Sequence, residues 1–119
     1  GQYKGLVVGT GNKVEDYGVG FYTKYGDGGV DIAPIADLYK SEVWELGAYL
    51  GVDTRIIEAS PTDGLWEDGR TDEDQLGASY VDLEEAMEKG TGPAVSVLEK
   101  YNKANKHKME PIPTFKLGV

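Results

Sequence analysis

Near the start of the chain stands Leu6-Val7-Val8-Gly9-Thr10-Gly11-Asn12, the segment most telling of fold class. A short apolar run, mostly β-branched, is stopped by a glycine, a hydroxyl residue and a second glycine. That pattern predicts a buried strand ending in a tight loop. A lone strand cannot satisfy its own backbone groups, so it implies partners in a sheet. Downstream of it the chain reads as loops and helices. Residues 11–31 predict an ordered, glycine-rich loop: Gly26-Asp27-Gly28-Gly29 is a turn signal, and the interleaved Phe21, Tyr22 and Tyr25 are foreign to disordered linkers.

The remaining segments carry helical periodicity. Tyr39, Val43, Leu46 and Leu50 predict a helix over 38–50, with Asp37 as its N-cap and Gly51 just past its end. Asp53 predicts the cap of a short helix over 54–59, stopped by Pro61. Residues 60–78 read as loop. Ser79 predicts the cap of a helix to Lys89, closed by Gly90. Pro93 falls in the first turn of a last helix reaching about Asn105, with Ala94, Val97, Leu98 and Tyr101 on one stripe. One strand and about four helices make an incomplete α/β domain. The expectation is therefore the C-terminal half of a larger α/β protein, mostly helices and loops with one or two strands, or else an unusual truncated chain.

Composition narrows the function. The chain has 119 residues, no cysteine and a single histidine, His107. Thiolate metal sites and disulfide scaffolds are excluded, and a Ser-His-Asp triad is a poor fit. The formal net charge of −9 argues against a general nucleic-acid binder. No apolar run approaches the ~20 residues of a membrane span, and no signal-peptide pattern opens the sequence. Glycine is in excess, 17 residues, nine of them within 1–29. Charge is uneven: residues 58–88 hold eleven acids and one base, Arg70, whereas residues 100–119 hold five lysines and one acid, Glu110. That polarity suits either a tail folded back on the acidic segment or an anionic ligand.

The candidate chemistry lies in the loops. Gly9-Thr10-Gly11-Asn12 suits close approach of backbone N–H groups to a phosphate or nucleobase, although an ordinary strand-to-helix turn capped by Thr10 is the commoner use of such a sequence. Glu15 beside Asp16 offers oxygen ligands of the kind Mg²⁺ prefers, or a solvated acidic pair. Phe21-Tyr22-Thr23-Lys24-Tyr25-Gly26-Asp27-Gly28-Gly29-Val30-Asp31 combines aromatic faces, a cation and carboxylates, the functional types that recognise a nucleotide.

Those strings, continued by Pro34-Ile35-Ala36-Asp37-Leu38-Tyr39-Lys40-Ser41-Glu42-Val43, Pro61-Thr62-Asp63-Gly64-Leu65, Thr71-Asp72-Glu73-Asp74-Gln75-Leu76-Gly77 and His107-Lys108, resemble the C-terminal half of the NAD synthetases, in order along nearly the whole chain. The resemblance implies an adenine nucleotide α-hydrolase-like fold of the PP-loop ATPases. It implies a cytoplasmic homodimer that adenylates deamido-NAD with ATP and Mg²⁺ and then transfers the acyl group to ammonia, with no nucleic-acid or membrane partner. By the same resemblance Thr10, Lys40 and Thr62 contact ATP; Lys24, Asp31, His107 and Lys108 contact deamido-NAD; Glu15 holds the metal. No side chain serves as nucleophile, because the substrate carboxylate does. Segment 67–74 resembles a mobile loop that orders over the substrates. The family's Ser-Gly-Gly-x-Asp-Ser phosphate loop is not in this sequence, so residues 1–119 are expected to be the C-terminal portion of one synthetase domain, inactive alone. A non-catalytic fragment and the synthetase module of a glutamine-dependent enzyme are the alternatives. The Lys24-Tyr25-Gly26-Asp27-Gly28-Gly29 string argues against a GMP synthetase. The stretch Asp16–Phe21 is about one residue longer than in some family members.

Overall fold

In a computed structural model, which describes residues 2–118, the first helical element starts from Asn12. This residue is 2 % exposed, and its side-chain oxygen accepts the N–H groups of Val14 (3.0 Å) and Glu15 (3.2 Å). It thereby satisfies two donors that a helix start leaves unpaired. The chain then winds into a π-helix, Val14–Val19, closed by Gly20 in the left-handed region (φ 68°). The sequence predicts only loop here.

Around this π-helix pack α4 (Tyr80–Lys89) and α5 (Val95–Met109). Ser79 caps α4 as expected, accepting the N–H of Asp82 at 3.1 Å, and Gly90 (φ 70°) ends it. The expected stripe of α5 faces the core: Ala94 is buried, and Val97, Leu98 and Tyr101 pack against Val14, Val19, Leu76, Tyr80 and Leu83. The helix runs four residues past Asn105, and Pro93 lies in the turn before it rather than within its first turn. Its basic last turn, Lys106-His107-Lys108, suits the negative end of a helix.

Glycines make this packing possible. A Cβ on Gly18 would stand 2.7 Å from the Met87 sulfur on α4. One on Gly20 would collide with the Asn105 Cβ on α5, and the positive φ there independently disfavours any other residue. Part of the glycine excess therefore serves helix approach.

α1 (Lys40–Tyr49) and α2 (Thr54–Ile57) form a second layer. Asp37 does not cap α1, contrary to expectation. The cap position is Tyr39, whose N–H donates to the Glu42 carboxylate at 3.0 Å, while Asp37 lies 3.8 Å from the Lys13 ammonium. Gly51 (φ 78°) ends the helix as expected. Asp53 caps α2 as predicted, accepting the Arg55 N–H at 2.8 Å, but the helix stops two residues before Ala59. The 60–78 loop contains a helix, α3 (Asp72–Leu76), fixed by reciprocal bonds between Thr71 and Asp74 of 3.1 and 2.9 Å.

The strand is the main departure. Residues 6–9 pair only with 31–32, through one isolated parallel bridge, Val8 to Ile32, and bonds such as Gly9 N–H to the Ile32 carbonyl at 2.7 Å. No strand forms among the described residues. Leu6, Val7 and Val8 are 70, 56 and 54 % exposed, so in place of the expected buried strand there is an uncovered extended segment, held along a single edge. The start of the lysine-rich tail does fold onto the acidic segment, but through Tyr101, whose hydroxyl donates to the Gln75 carbonyl at 3.1 Å; among the described residues no ion pair joins the two, and Lys106 pairs with Glu110 at the end of α5. Among the described residues no helix is long and apolar enough to cross a membrane.

Candidate functional site

A cavity of about 610 Å³ opens between the Gly9–Gly11 turn, the π-helix, the 21–31 loop and the end of α5. That is the volume range of a small-molecule site. Thr10, Glu15, Lys24, Asp31 and Lys108 all line it, so five of the eight sequence-derived candidates, spread over 99 positions of the chain, share one cavity.

Each is placed by a local device. Thr10 stands exposed between Gly9, which is bonded to Ile32, and Gly11, whose missing Cβ makes room for the Asp16 carboxylate. Asp31 is held by the Val7 N–H at 2.8 Å. Lys24 and Lys108 bind carbonyl oxygens in reciprocal fashion across the cavity mouth. The Lys24 ammonium donates to the carbonyls of His107 and Glu110 (both 2.7 Å); the Lys108 ammonium donates to those of Gly20 (3.0 Å) and Tyr22 (2.7 Å). An ammonium has three N–H donors, so each retains one for an anion. His107 enters this arrangement through its backbone, its side chain being exposed.

Glu15 is held through both of its oxygens. Its Oε2 accepts the Asn12 N–H at 3.1 Å, and its Oε1 accepts the Tyr80 hydroxyl at 2.8 Å. Beside it, burial, the Glu15 charge and the Asp27 charge raise the Asp16 carboxyl to about 6. Burial, then the charge of Asp16, also pushes the Tyr22 phenol up. These are the marks of a pocket with a surplus of negative charge, able to draw in a cation.

Lys40 and Thr62 lie elsewhere. Lys40, the first residue of α1, places its ammonium 5.6 Å from the centre of the Tyr80 ring. Glu84 sets that placement by clamping Ser41 through its N–H (2.9 Å) and hydroxyl (2.7 Å). Thr62 is exposed; its hydroxyl donates to the Arg70 carbonyl (3.0 Å) and accepts the Gly64 N–H (3.1 Å), folding the 61–64 turn. The two candidates approach the rest through buried residues that the sequence did not single out. Tyr80, beneath Lys40, also reaches Oδ2 of Asp72 (3.2 Å), and the Asp72 N–H donates to the Pro61 carbonyl beside Thr62 (2.9 Å). Burial raises the Asp72 carboxyl, and burial with the Glu15 charge raises the Tyr80 phenol, which stays neutral.

Among the described residues no group of three or more acids or histidines forms a cation cage. One carboxylate at a cavity wall, Glu15, fits Mg²⁺ in the form that takes most of its coordination from phosphate oxygens and water.

A family model described as NAD synthase matches residues 1–113. An NH(3)-dependent NAD(+) synthetase of Archaeoglobus fulgidus is 60 % identical over 82 residues, covering 69 % of this chain and 32 % of that protein. One of Alkaliphilus oremlandii is 46 % identical over 115 residues, covering 95 % and 45 %. Among solved structures, an NMN synthetase from Francisella tularensis superposes with a TM-score of 0.84 at 39 % identity, over 98 % of this chain and 49 % of that one. An NH3-dependent NAD synthetase from Campylobacter jejuni, in complex with the nitrate ion, gives 0.63 at 29 % identity, over 93 % and 45 %. The chain spans about a third to a half of the length of these relatives.

Proposed function

The chain belongs to the NAD synthase family, and from that premise we propose that it forms one wall of an ATP-dependent amide-forming site that turns deamido-NAD and ammonia into NAD. The observation that carries the reading is the shared cavity of Thr10, Glu15, Lys24, Asp31 and Lys108. In this reading residues 1–119 are the C-terminal portion of one PP-loop synthetase domain, whose sheet would cover Leu6, Val7 and Val8.

The chemistry has two steps. An oxygen of the nicotinate carboxylate attacks the α-phosphorus of ATP, the α–β bridge breaks, and pyrophosphate leaves. Ammonia then attacks the acyl carbon, AMP leaves with the carbon–oxygen bond, and the nitrogen sheds a proton to give the amide. No protein nucleophile is required. The task of the chain is to gather anions, and stabilising developing charge is commonly the largest catalytic contribution. Glu15 would hold Mg²⁺, which when bound neutralises phosphate charge. Thr10, Lys40 and Thr62 would contact ATP. Lys24 and Lys108 would each turn their remaining N–H toward the dinucleotide, and Asp31 and His107 would complete its contacts. The 62–76 segment would exclude water from the adenylate. The intact protein is proposed to be cytoplasmic and a homodimer; the dimer is supported by the exposed apolar Leu46 and Tyr49 on α1, Leu50 just past it and Ile56 on α2.

A second reading has its own support. The NMN synthetase structure superposes more closely than the Campylobacter NAD synthetase. The amide acceptor would then be the mononucleotide acid, with the same residues serving the shared nicotinate, ribose and phosphate. One assay tests both. The intact protein is given ATP, Mg²⁺, ammonia and either acid, and AMP and the amide product are quantified. Equal yields of AMP and NAD from deamido-NAD support the first reading. Turnover of the mononucleotide acid alone selects the second. AMP from neither acid refutes both.

A further inference from the structure

Glu15 faces the cavity from the π-helix, yet the partner of its Oε1 comes from the far side of the core. Tyr80, the first residue of α4, is fully buried, and its hydroxyl reaches that oxygen at 2.8 Å. The same hydroxyl lies 3.2 Å from Oδ2 of Asp72, the first residue of α3. Asp72 is 7 % exposed, and its second oxygen, Oδ1, has no hydrogen-bond partner among the described residues. Its backbone N–H is bonded to the Pro61 carbonyl at 2.9 Å. The single hydrogen of the Tyr80 hydroxyl is thus shared between the Glu15 and Asp72 carboxylates, the nearer being Glu15, and Asp72 is tied by its N–H to the Pro61–Gly64 turn.

We propose that Tyr80 and Asp72 are positioning residues that fix the orientation of the Glu15 carboxylate for its cation and tie it to the Pro61–Gly64 turn. The inference rests on the reading of Glu15 as the cation ligand. A glutamate side chain has three rotatable bonds and loses considerable freedom when ordered. Here both of its oxygens are already engaged, Oε2 by Asn12 N–H and Oε1 by Tyr80, so the ordering is complete before a cation arrives. Each oxygen retains lone pairs for a metal. A phenylalanine would fill the same space between α3, α4 and the π-helix, so packing alone does not call for the hydroxyl. A buried hydroxyl also costs free energy unless it is bonded. The Lys40 ammonium over the Tyr80 ring further fixes the ring from the α1 side. Partners that orient a metal ligand from behind commonly contribute about 10-fold to 100-fold in metal affinity.

The test uses the intact protein with Mn²⁺ as the probe and α,β-methylene-ATP, whose α–β bridge cannot be cleaved. Protein-bound Mn²⁺ is read by electron paramagnetic resonance, and thermal unfolding is followed for every variant. Tyr80→Phe, which removes only the hydroxyl, is expected to weaken Mn²⁺ binding about 10-fold. Asp72→Ala is expected to weaken it similarly, and Asp72→Asn, which still bonds the hydroxyl, to recover it to within about 3-fold. A purely structural role would lower the unfolding temperature and leave Mn²⁺ affinity in place. If Glu15→Gln loses Mn²⁺ while Tyr80→Phe binds it as the parent does, the positioning role is refuted and the Glu15 reading stands. If Glu15→Gln itself binds Mn²⁺ normally, the Glu15 reading falls and takes this proposal with it. Should Tyr80→Phe fail to fold, equal affinities in Asp72→Ala and Asp72→Asn would overturn the proposal.

Discussion

Two regions of this molecule carry similar sequence patterns and have different fates. α4 and α1 are both ten-residue helices with apolar residues at helical spacing. α4 buries Tyr80, Leu83 and Ala86 against the π-helix and α5, whereas α1 buries none of its residues and leaves Leu46 and Tyr49 exposed, with Leu50 just beyond them. The same contrast runs through the whole chain. The part built on the π-helix, α3, α4 and α5 is a packed core; the 2–8 segment and α1–α2 present apolar surface outward. The radius of gyration, 16.3 Å, is larger than the ~13.5 Å of a compact chain of this length. Apolar periodicity says that a helix has a face to bury and is silent on which surface buries it. The cavity is built on the packed region, where side chains of distant sequence position are held from behind.

Substitutions separate the packed region from the open one. Leu83→Ala, in the packed region, is expected to lower stability by about 2–5 kcal/mol in chemical denaturation. Gly20→Ala is expected to cost more than ~1 kcal/mol, because both the left-handed backbone and the Asn105 contact oppose a side chain. A neutral result in the same denaturation series would show that the π-helix and α5 can separate locally. Leu50→Ala, on the open side, should change stability by no more than ~0.5 kcal/mol. If the intact protein shows comparable losses at Leu83 and Leu50, then α1 is covered in solution and the contrast describes this chain rather than the working protein. The smallest effect is expected at Asp53. The Arg55 side chain, then its N–H, holds the Asp53 carboxyl below its ordinary value. The contribution of this cap to α2 is therefore complete above the usual carboxylate range and lost as pH falls through the lowered value. An NMR titration of the Asp53 carboxyl reads this directly; a midpoint at or above the ordinary value would remove the cap.

Much of the helical framework is legible in the sequence because caps and stops are local. Ser79, Gly90, Asp53 and Gly51 act on residues one to four positions away, and each does so here. α3 escapes a reading by periodicity although Thr71 and Asp74 carry its signature, because a five-residue helix has too little apolar repeat to register. The π-helix escapes it because its hydrogen bonds skip one residue more than those of an α-helix, which shifts the apolar spacing away from 3.6. The cavity is legible through the loop strings. Tyr80 and Asp72 are not: they act from behind, and nothing local in a sequence says which buried hydroxyl faces which carboxylate.

The grip of Lys24 on the end of α5 has a thermodynamic consequence. Its ammonium lies on the carbonyls of His107 and Glu110, where the helix dipole is negative. An anion that competes for more than the one remaining N–H of Lys24 weakens that grip, and whatever stiffens the last turn of α5 weakens the pull of such an anion by the same factor, since such coupling is reciprocal. Ligand occupancy on residue 24 and fraying at residue 110 thus become two readings of one equilibrium. Amide exchange at the end of α5 should report binding at a loop more than eighty residues away in the chain.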